Sequence, residues 1–316
     1  MTSQYLVLGK NGQLGRCLTR LIASAPNSAL MAAFGRDELD IADRCAVANL
    51  GEGLGSPPNP IDESVWVLNA AAFTAVDLCE SEKDACHAVN GSGPGELADW
   101  CREHAAGLVH LSTDYVFGGD ATVPYRETDL PAPGTEYGRS KLAGEQRVFE
   151  SLPSAWVVRT SWVFGPGKNF VGAIVRQAVL REMGKAKGPL RVVDDQLGCP
   201  TYAADLAGGI LALTQLEGAS VGGLIHLSNA EPCSFWDFAR AILDGAGYGD
   251  LQLDRIKTCD FPTPAPRPAY SVLDGSKARS LGIVLRGWRE ALDDYLRSDD
   301  FAGLHRALRG DAQVAQ

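Results

Sequence analysis

The sequence has no hydrophobic run long enough to cross a membrane. Its longest apolar stretches, at residues 65–72 and 108–111, have the length of a strand, whereas a spanning helix needs about 20 apolar residues. The first residues also lack the basic segment and apolar core of a secretory signal. We therefore expect a cytoplasmic protein with no membrane partner.

Basic side chains are in the minority. The chain has 29 Lys and Arg residues against 39 Asp and Glu residues, which gives a net charge of -10. A negative net charge repels a phosphate backbone, so nucleic acid is not an expected partner. Net charge does not exclude a single basic pocket for one nucleotide.

The sequence also lacks the spacings that bind zinc. Its eight cysteines form no Cys-x-x-Cys pair, and no His-x-x-x-His pair is present. A chain of 316 residues buries a core large enough to be stable without disulfide bonds. We expect reduced, mostly buried thiols and no structural zinc.

Strand-like and helix-like segments alternate from the first residues. Apolar runs at residues 5–8, 30–34, 65–68, 108–111 and 156–158 predict strands, and helical patterns occupy residues 83–103 and 140–152. This alternation predicts an α/β fold with a Rossmann-type, doubly wound parallel sheet.

The pattern changes near residue 165, where glycine and proline become frequent and strands become short. The segment PTPAPRP at 262–268 cannot form a regular helix or a central strand. We predict an NAD(P)-binding domain at residues 1–165, a smaller, discontinuous substrate-binding lobe at 166–204 and 231–300, and a C-terminal tail at 301–316. Residues 205–230 are assigned to the first domain because residues 223–228 resemble one more buried strand.

A glycine-rich turn follows the first predicted strand and opens a helix. In GKNGQLG, at residues 9–15, the first two glycines allow a tight turn and the third lets the helix pack on the strand. The N–H groups at a helix N-terminus bind pyrophosphate. This motif predicts a dinucleotide site that contains Gly9, Asn11, Gly12, Gln13, Leu14 and Gly15.

The residues after the second predicted strand bear on the choice between NADPH and NADH. Arg36 offers a charge-assisted contact to a 2′-phosphate. Asp37 or Asp40 would instead accept a hydrogen bond from a free 2′-hydroxyl. We favour NADPH as the cofactor, with NADH as the alternative.

Small side chains close the third predicted strand. Ala70, Ala71 and Ala72 leave room for a flat ring against the backbone, although a tightly packed helix crossing would require the same residues. Asn90 either braces a neighbouring loop or approaches the cofactor.

A tyrosine and a lysine lie one helical turn apart, at Tyr137 and Lys141. A cation beside the phenol lowers its pKa towards working pH, which makes the tyrosine an effective general acid or base. Thr113 ends the fourth predicted strand, where its hydroxyl can hydrogen-bond a substrate oxygen. We interpret Thr113, Tyr137 and Lys141 as catalytic.

Several longer motifs are shared with one enzyme family. The chain resembles the extended short-chain dehydrogenases/reductases and, among them, the dTDP-4-dehydrorhamnose reductase family, from about residue 6 to residue 296. The resemblance rests on the glycine turn together with NAAAFTAVD at 69–77, STDYVF at 112–117, YGRSKLAGE at 137–145, RTSWV at 159–163, DDQLGCPT at 194–201 and PTPAPRP at 262–268.

This resemblance implies reduction of the 4-keto group of a dTDP-4-keto-6-deoxy sugar, most simply dTDP-4-dehydro-L-rhamnose. The alternatives are another dTDP-4-keto sugar and a non-catalytic, dinucleotide-binding regulatory subunit. Tyr137 would protonate the oxygen that Thr113 holds, and Lys141 would bind the nicotinamide ribose. Ile41 and Thr74 would join the cofactor site, and the substrate would contact Asp114, Val116, Trp162, Asn169, Gln196 and Arg267. A core position for Trp162 and a local ion pair for Arg267 are the alternatives for these two residues.

One position departs from the family pattern. Some bacterial relatives are dimers with magnesium held by glutamates, one of them shortly after the last glycine of the first turn. Cys17 stands at that position here, and a thiol is a poor ligand for a hard cation. We predict no such metal site and a monomer or a metal-independent homodimer.

Overall fold

The computed structural model describes residues 2–51, 63–216 and 222–314. Its strands are β1 (Thr2–Leu8), β2 (Ser28–Phe34), β3 (Glu63–Asn69), β4 (Gly107–Thr113), β5 (Trp156–Thr160), β6 (Val163–Phe164), β7 (Leu190–Val193), β8 (Leu197–Gly198), β9 (Thr201–Tyr202), β10 (Gly223–His226), β11 (Cys233–Ser234) and β12 (Leu253–Ile256). Its helices are α1 (Gln13–Ser24), α2 (Arg44–Ala48), α3 (Val76–Cys79), α4 (Lys83–His87), α5 (Gly93–Glu103), α6 (Glu136–Ser151), α7 (Phe170–Glu182), α8 (Ala203–Thr214), α9 (Phe235–Gly245), α10 (Ser276–Ser280), α11 (Trp288–Arg297) and α12 (Asp299–Val314).

The main sheet has the order β10-β5-β4-β3-β1-β2, and every neighbouring pair is parallel. The five strands predicted from apolar runs are all present, and the predicted extra strand pairs with β5 as β10. The strand order reverses between β1 and β3. In open α/β sheets, ligands bind at such a reversal, beyond the carboxyl ends of the strands.

Helix α1 packs on this sheet through one face. Leu18 and Ile22 of α1 are fully buried in a core that includes Tyr5 of β1 and Trp156 of β5. The apolar helix α8 packs against α1 and adds Ile210 to the same core. Burial of these apolar surfaces fixes the N-terminal end of α1 at the sheet reversal.

A second core lies outside the main sheet and is rich in aromatic side chains. Phe164, Phe238, Trp288 and Tyr295 are at most 1 % exposed and pack with aliphatic residues of α7 and α9. Three small two-stranded sheets, β12-β7, β11-β8 and β6-β9, surround this core.

The C-terminal segment is helical where the sequence analysis assigns a tail. Helix α12 begins at Asp299 and buries Phe301 against the second core. Asp300 accepts two hydrogen bonds from Arg20, and these bonds also connect α12 to α1. Within the described residues, no helix is both long and apolar enough to cross a membrane.

Candidate active site

A cleft of about 710 Å³ opens at the carboxyl ends of β1 and β3, where the strand order reverses. Most of the predicted cofactor residues line it. They are Gly9, Asn11, Gly12, Gln13, Leu14, Arg36, Asp40, Ile41, Ala70, Ala71, Ala72, Thr74, Tyr137 and Lys141. Two predicted cofactor residues, Gly15 and Asn90, are not part of this lining.

The glycine turn has the shape that a pyrophosphate requires. Gly9 has a positive φ of 81°, and a Cβ atom there would lie 2.7 Å from the backbone nitrogen of Ala71. A Cβ atom on Gly15 would collide with the carbonyl of Gly9, so this third glycine serves the packing of helix on strand. Helix α1 starts after Gly12 with no side-chain cap and no acidic residue in its first turn. Its N-terminus therefore suits an anionic group.

Two buried polar atoms in the cleft have no hydrogen-bond partner in the described structure. They are Oε1 of Gln13 and Oγ1 of Thr160. Buried polar atoms without partners are uncommon in native proteins and are typical of ligand sites. Together with the glycine cradle, they fit a bound dinucleotide. The sequence analysis missed Thr160, although it ends β5 beside Thr113 at the end of β4.

Cations line the outer part of the cleft. The Arg36 side chain is 76 % exposed, and its Nε atom lies 3.3 Å from the Asp40 carboxylate. Arg16 and Lys168 also line the cleft and were not predicted. Arg16 directly follows the third glycine of the motif, which was the available sequence signal.

Asn90 acts as a brace for the neighbouring loop. Its side chain accepts a hydrogen bond from the N–H of Phe73 at 2.8 Å and donates one to the carbonyl of Phe73 at 3.0 Å. It lies in a π-helical turn, Ala88–Ser92, that divides the helix predicted at residues 83–103 into α4 and α5. Of the two roles left open by the sequence, the structure favours the brace.

Tyr137 is held at the start of helix α6. The Thr135 hydroxyl accepts a hydrogen bond from the N–H of Gly138 at 3.0 Å, which caps the helix and places Tyr137 in its first turn. The Thr113 hydroxyl lies near enough to the phenol to influence its pKa. The Tyr137 ring meets Tyr115 edge to face, with centroids 5.5 Å apart. The fold therefore brings the predicted acid and the predicted oxygen-binding hydroxyl close together.

Burial controls the protonation of this tyrosine. It raises the pKa of Tyr137 above its ordinary value of 10, and the nearby Thr113 hydroxyl offsets only part of the effect. Lys141 is not among the largest causes of this shift. The net direction is opposite to the decrease expected from the Tyr137/Lys141 spacing, and the phenol is protonated at neutral pH, as a proton donor must be.

Lys141 is buried, with 2 % of its surface exposed, and its ammonium group donates a hydrogen bond to the carbonyl of Leu111. Burial lowers the pKa of Lys141 to about 8, and the nearby Glu145 carboxylate opposes this shift. The ammonium lines the cleft. It is thus a cation at neutral pH that loses its proton under mildly alkaline conditions.

Asp114 lies directly beside the Thr113 hydroxyl. Its Oδ1 atom accepts a hydrogen bond from Thr113 at 2.9 Å, and its Oδ2 atom is buried with no partner in the described structure. Burial raises the pKa of the Asp114 carboxyl to about 6. The contact orients the Thr113 hydroxyl.

Arg267, expected to meet the substrate pyrophosphate, forms the local ion pair that was the alternative. Its guanidinium lies 2.9 Å from the Asp77 carboxylate, and it also donates to the carbonyl of Ala265. Trp162 has a positive φ of 46° and stacks on Phe235, with ring centroids 3.6 Å apart.

Three other predicted substrate residues have structural contacts. Val116 is fully buried in a small core with Tyr125, so its side chain is not available to a ligand. Asn169 caps α7 by accepting a hydrogen bond from the N–H of Gly172 at 3.0 Å. Gln196 is 6 % exposed and donates to the Thr258 hydroxyl at 3.0 Å.

Cys17, which the sequence analysis matched to a glutamate ligand of some relatives, is buried in the structure. Its side chain is 7 % exposed, and burial raises the pKa of its thiol to about 11. Among the residues that the structure describes, no three His, Cys, Asp or Glu side chains lie close enough together to hold a metal ion.

The parallel sheet, the glycine turn and the Tyr137/Lys141 pair define an oxidoreductase of the extended short-chain dehydrogenase/reductase class. Comparison with known proteins gives the family. Residues 3–300 match the family model described as the RmlD substrate binding domain. The chain belongs to this family, that of the dTDP-4-dehydrorhamnose reductases.

Two relatives illustrate the range within the family. A dTDP-4-dehydrorhamnose reductase from Mycolicibacterium smegmatis is 39% identical over 301 residues, which cover 93% of this chain and 85% of the relative. A dTDP-4-keto-6-deoxy-D-glucose reductase from Streptomyces niveus is 38% identical over 300 residues, covering 92% of this chain and 96% of the relative.

Solved structures agree with this assignment. A dTDP-4-dehydrorhamnose reductase from Clostridium acetobutylicum has a TM-score of 0.82 and 35% identity, covering 93% of this chain and 98% of its own. The enzyme of the same name from Bacillus anthracis, solved in complex with NADP, has a TM-score of 0.81 and 32% identity, with coverage of 94% and 99%.

Proposed function

We propose that this protein reduces dTDP-4-dehydro-L-rhamnose to dTDP-L-rhamnose with NADPH as the hydride donor. The position of Tyr137 carries the proposal: it lines the dinucleotide cleft and lies near Thr113, which places a proton donor beside an oxygen-binding hydroxyl. The names of the similar reductases support the reaction. The NADP complex of the Bacillus anthracis enzyme supports the cofactor.

NADPH supplies a hydride from carbon 4 of its nicotinamide when it is bound. The N-terminus of α1 and the glycine turn hold the pyrophosphate, and the alanines after β3 leave room for a flat ring. The unpaired oxygens of Gln13 and Thr160 would bind polar groups of the dinucleotide. Together these residues would hold the cofactor in place while it supplies the hydride.

Tyr137 donates the proton that the reduced carbonyl oxygen gains. The buried phenol is protonated across the neutral range because its pKa is raised. Thr113 holds the same oxygen, and the Asp114 carboxylate, 2.9 Å away, orients its hydroxyl. Lys141, cationic below its pKa of about 8, hydrogen-bonds the nicotinamide ribose.

Trp162, Gln196 and Arg267 are the proposed contacts to the dTDP sugar. For Arg267 to grip the dTDP pyrophosphate, its guanidinium exchanges the Asp77 carboxylate for the phosphate oxygens. A planar guanidinium matches either partner with two parallel hydrogen bonds. The exchange therefore keeps the charge paired.

A second candidate is reduction of a different dTDP-4-keto sugar. The Streptomyces niveus relative, a dTDP-4-keto-6-deoxy-D-glucose reductase, is 38% identical, nearly the same as the rhamnose-forming relative at 39%. Overall identity therefore does not separate the two substrates.

Purified protein should be assayed with dTDP-4-dehydro-L-rhamnose and dTDP-4-keto-6-deoxy-D-glucose, each with NADPH and with NADH. We expect the highest kcat/KM with the rhamnose precursor and NADPH, and a product with the stereochemistry of dTDP-L-rhamnose. A higher kcat/KM for the gluco sugar would favour the second candidate. No turnover of any dTDP-4-keto sugar would contradict the reductase proposal.

Replacement of Arg36 by alanine should shift cofactor preference. The guanidinium lies exposed at the cleft, where it can pair with a 2′-phosphate. Loss of a charge-assisted contact worth about 1.5 kcal/mol raises the KM for NADPH about tenfold and leaves that for NADH nearly unchanged. Arg44→Ala is the matched control, because Arg44 is also an exposed arginine in an ion pair, with Glu96, and is not part of the cleft lining. Equal effects on both cofactors would exclude a phosphate contact for Arg36.

Excess EDTA should leave turnover and sedimentation unchanged. Cys17 is a buried thiol at the expected ligand position, and the proposed proton transfer needs no Lewis acid. The assay should use protein purified without divalent ions, at constant ionic strength, because chelation also alters charge screening. Activity lost on chelation and restored by magnesium, but not by sodium chloride of matched ionic strength, would reveal a metal site.

A further inference from the structure

Two cysteines lie close together beside the proposed proton donor. Cys79 ends helix α3, Cys86 lies in helix α4, and their Sγ atoms are 2.8 Å apart. Both side chains are fully buried. A disulfide bond has a length of about 2.05 Å, so these sulfur atoms need little movement to bond. We call Cys79 and Cys86 the dithiol pair.

One side of the dithiol pair contacts the start of helix α6. Both cysteines pack in a small cluster with Tyr137. The Sγ atom of Cys86 lies 3.1 Å from the Ser140 hydroxyl, which donates a hydrogen bond to the carbonyl of Tyr137 at 2.8 Å. A change in the position or hydrogen bonding of Cys86 therefore reaches the backbone that holds the proton donor.

The other side of the dithiol pair contacts the cofactor wall. The Asn90 amide lies 3.5 Å from the Sγ atom of Cys86 and holds both backbone polar groups of Phe73. Cys79 lies 4.0 Å from the carbonyl of Phe73, which lines the cleft. The dithiol pair thus connects the start of α6, which carries Tyr137, to the cleft wall at Phe73. These two parts of the site must keep their relative positions during the reaction.

We propose that the dithiol pair is an oxidation site, at which hydrogen peroxide converts the two thiols into a disulfide and reversibly lowers activity. One sulfur attacks the peroxide, breaks its O–O bond and becomes a sulfenic acid, with release of one water. The second sulfur then displaces the hydroxyl of the sulfenic acid as a second water, and the S–S bond forms. The thiols lose two protons and two electrons, which the peroxide takes up.

The surroundings of the dithiol pair control the rate of its oxidation. Burial raises the pKa of the Cys79 thiol, and the thiolate is the reactive form. Oxidation is therefore slow and favours a small, uncharged oxidant such as hydrogen peroxide. Cys45 and Cys259 are exposed and compete for it, so both are best replaced by serine in the protein that is tested.

The first measurement is the disulfide itself. The Cys45→Ser/Cys259→Ser protein is treated with hydrogen peroxide, denatured with an alkylating agent present, and digested with trypsin. Trypsin cleaves after Lys83, between the two cysteines, so the disulfide joins two peptides that fragmentation assigns to Cys79 and Cys86. Absence of this linked pair, under treatment that oxidises Cys45 and Cys259 in the wild type, would overturn the proposal.

The second measurement is its effect on the site. A displacement approaching 1 Å at a catalytic group costs up to about 100-fold in rate, so we expect oxidation to lower kcat by about tenfold and a dithiol reductant to restore it. The same protein with Cys79→Ala added should show no peroxide-dependent change in kcat. Formation of the disulfide with kcat and NADPH affinity unchanged would overturn the regulatory role.

The effect on kcat rests on the proposed function, whereas the linked peptides and NADPH binding do not depend on the sugar. Protein that turns over no keto sugar but still forms the disulfide, and binds NADPH more weakly when oxidised, would contradict the proposed function alone.

Discussion

Replacement of Tyr137 by phenylalanine is expected to lower kcat by about 10²–10⁴, the usual contribution of a general acid. The ring keeps its edge-to-face contact with Tyr115 and its packing against Cys79 and Cys86, so only the phenol hydroxyl and its proton are lost. Steady-state rates with the keto sugar measure the loss. NADPH binding, followed by fluorescence, should stay close to that of the wild type.

Tyr5→Phe provides the matched control for this substitution. It also removes one buried phenol hydroxyl, which lies 2.8 Å from the hydroxyl of Thr214. Tyr5 belongs to the core beneath the sheet and is not part of the cleft lining. We expect a loss of about 1 kcal/mol in the free energy of unfolding and little change in kcat. A Tyr137→Phe enzyme with near wild-type turnover would remove Tyr137 from the mechanism.

Replacement of Lys141 by methionine should raise the KM for NADPH and lower kcat together, because one ammonium group is proposed to bind the ribose and support the reacting centre. We expect a loss of about 10²-fold or more in kcat/KM. In the wild type, activity should fall as pH rises through about 8, where Lys141 loses its proton. This alkaline limb should be absent from the residual activity of Lys141→Met.

Measurements of stability distinguish a lost functional role of Lys141 from simple unfolding of the Lys141→Met variant. The pKa of Lys141 is lower in the folded protein than the ordinary value of 10.5, so between about pH 8 and 10.5 the unfolded chain binds the extra proton and wild-type stability rises with pH. Below pH 8 the buried ammonium opposes folding. Lys141→Met should therefore be at least as stable as the wild type at pH 7. A Tm well below that of the wild type, together with unchanged affinity for NADPH, would contradict both parts of the prediction.

Local sequence patterns predicted the framework of the site. The run before Gly9 became β1, and the helix that starts after Gly12 became α1, because a strand, a glycine turn and an amphipathic helix are each specified by neighbouring residues. Tyr137 and Lys141 share one face of α6 for the same reason, since four residues make about one helical turn.

The C-terminal helix α12 also has a local apolar pattern, although the sequence analysis assigned this segment to a tail. Phe301, Leu304 and Leu308 are spaced by three and four residues, and all three pack on the second core. Small and polar residues around them hid this apolar stripe. The spacing predicts a helix, but only the second core provides the surface that buries it.

Contacts between distant segments had no sequence signal. Arg267 meets Asp77 across 190 positions, and nothing local to either residue selects an ion pair over a phosphate contact. Val116 and Asn169 were assigned to the substrate on family motifs, yet the first is buried in a core and the second caps α7. A motif shows which residues are neighbours in the sequence, but it does not show which of their side chains contact a ligand.

The sequence by itself determined the parallel sheet, the dinucleotide turn and the proposal of Tyr137 as proton donor, because each depends on residues that are close together in the chain. Only the tertiary structure decided the pKa values and the contact partners of the site residues. It surrounded Tyr137 with residues of α3, α4 and the segment after β4, and the resulting loss of water raised its pKa, whereas the helical spacing had predicted a decrease. Burial depends on every segment that packs around a group, and for this reason the protonation of Tyr137, the paired state of Arg267 and the contact between Cys79 and Cys86 follow only from the complete fold.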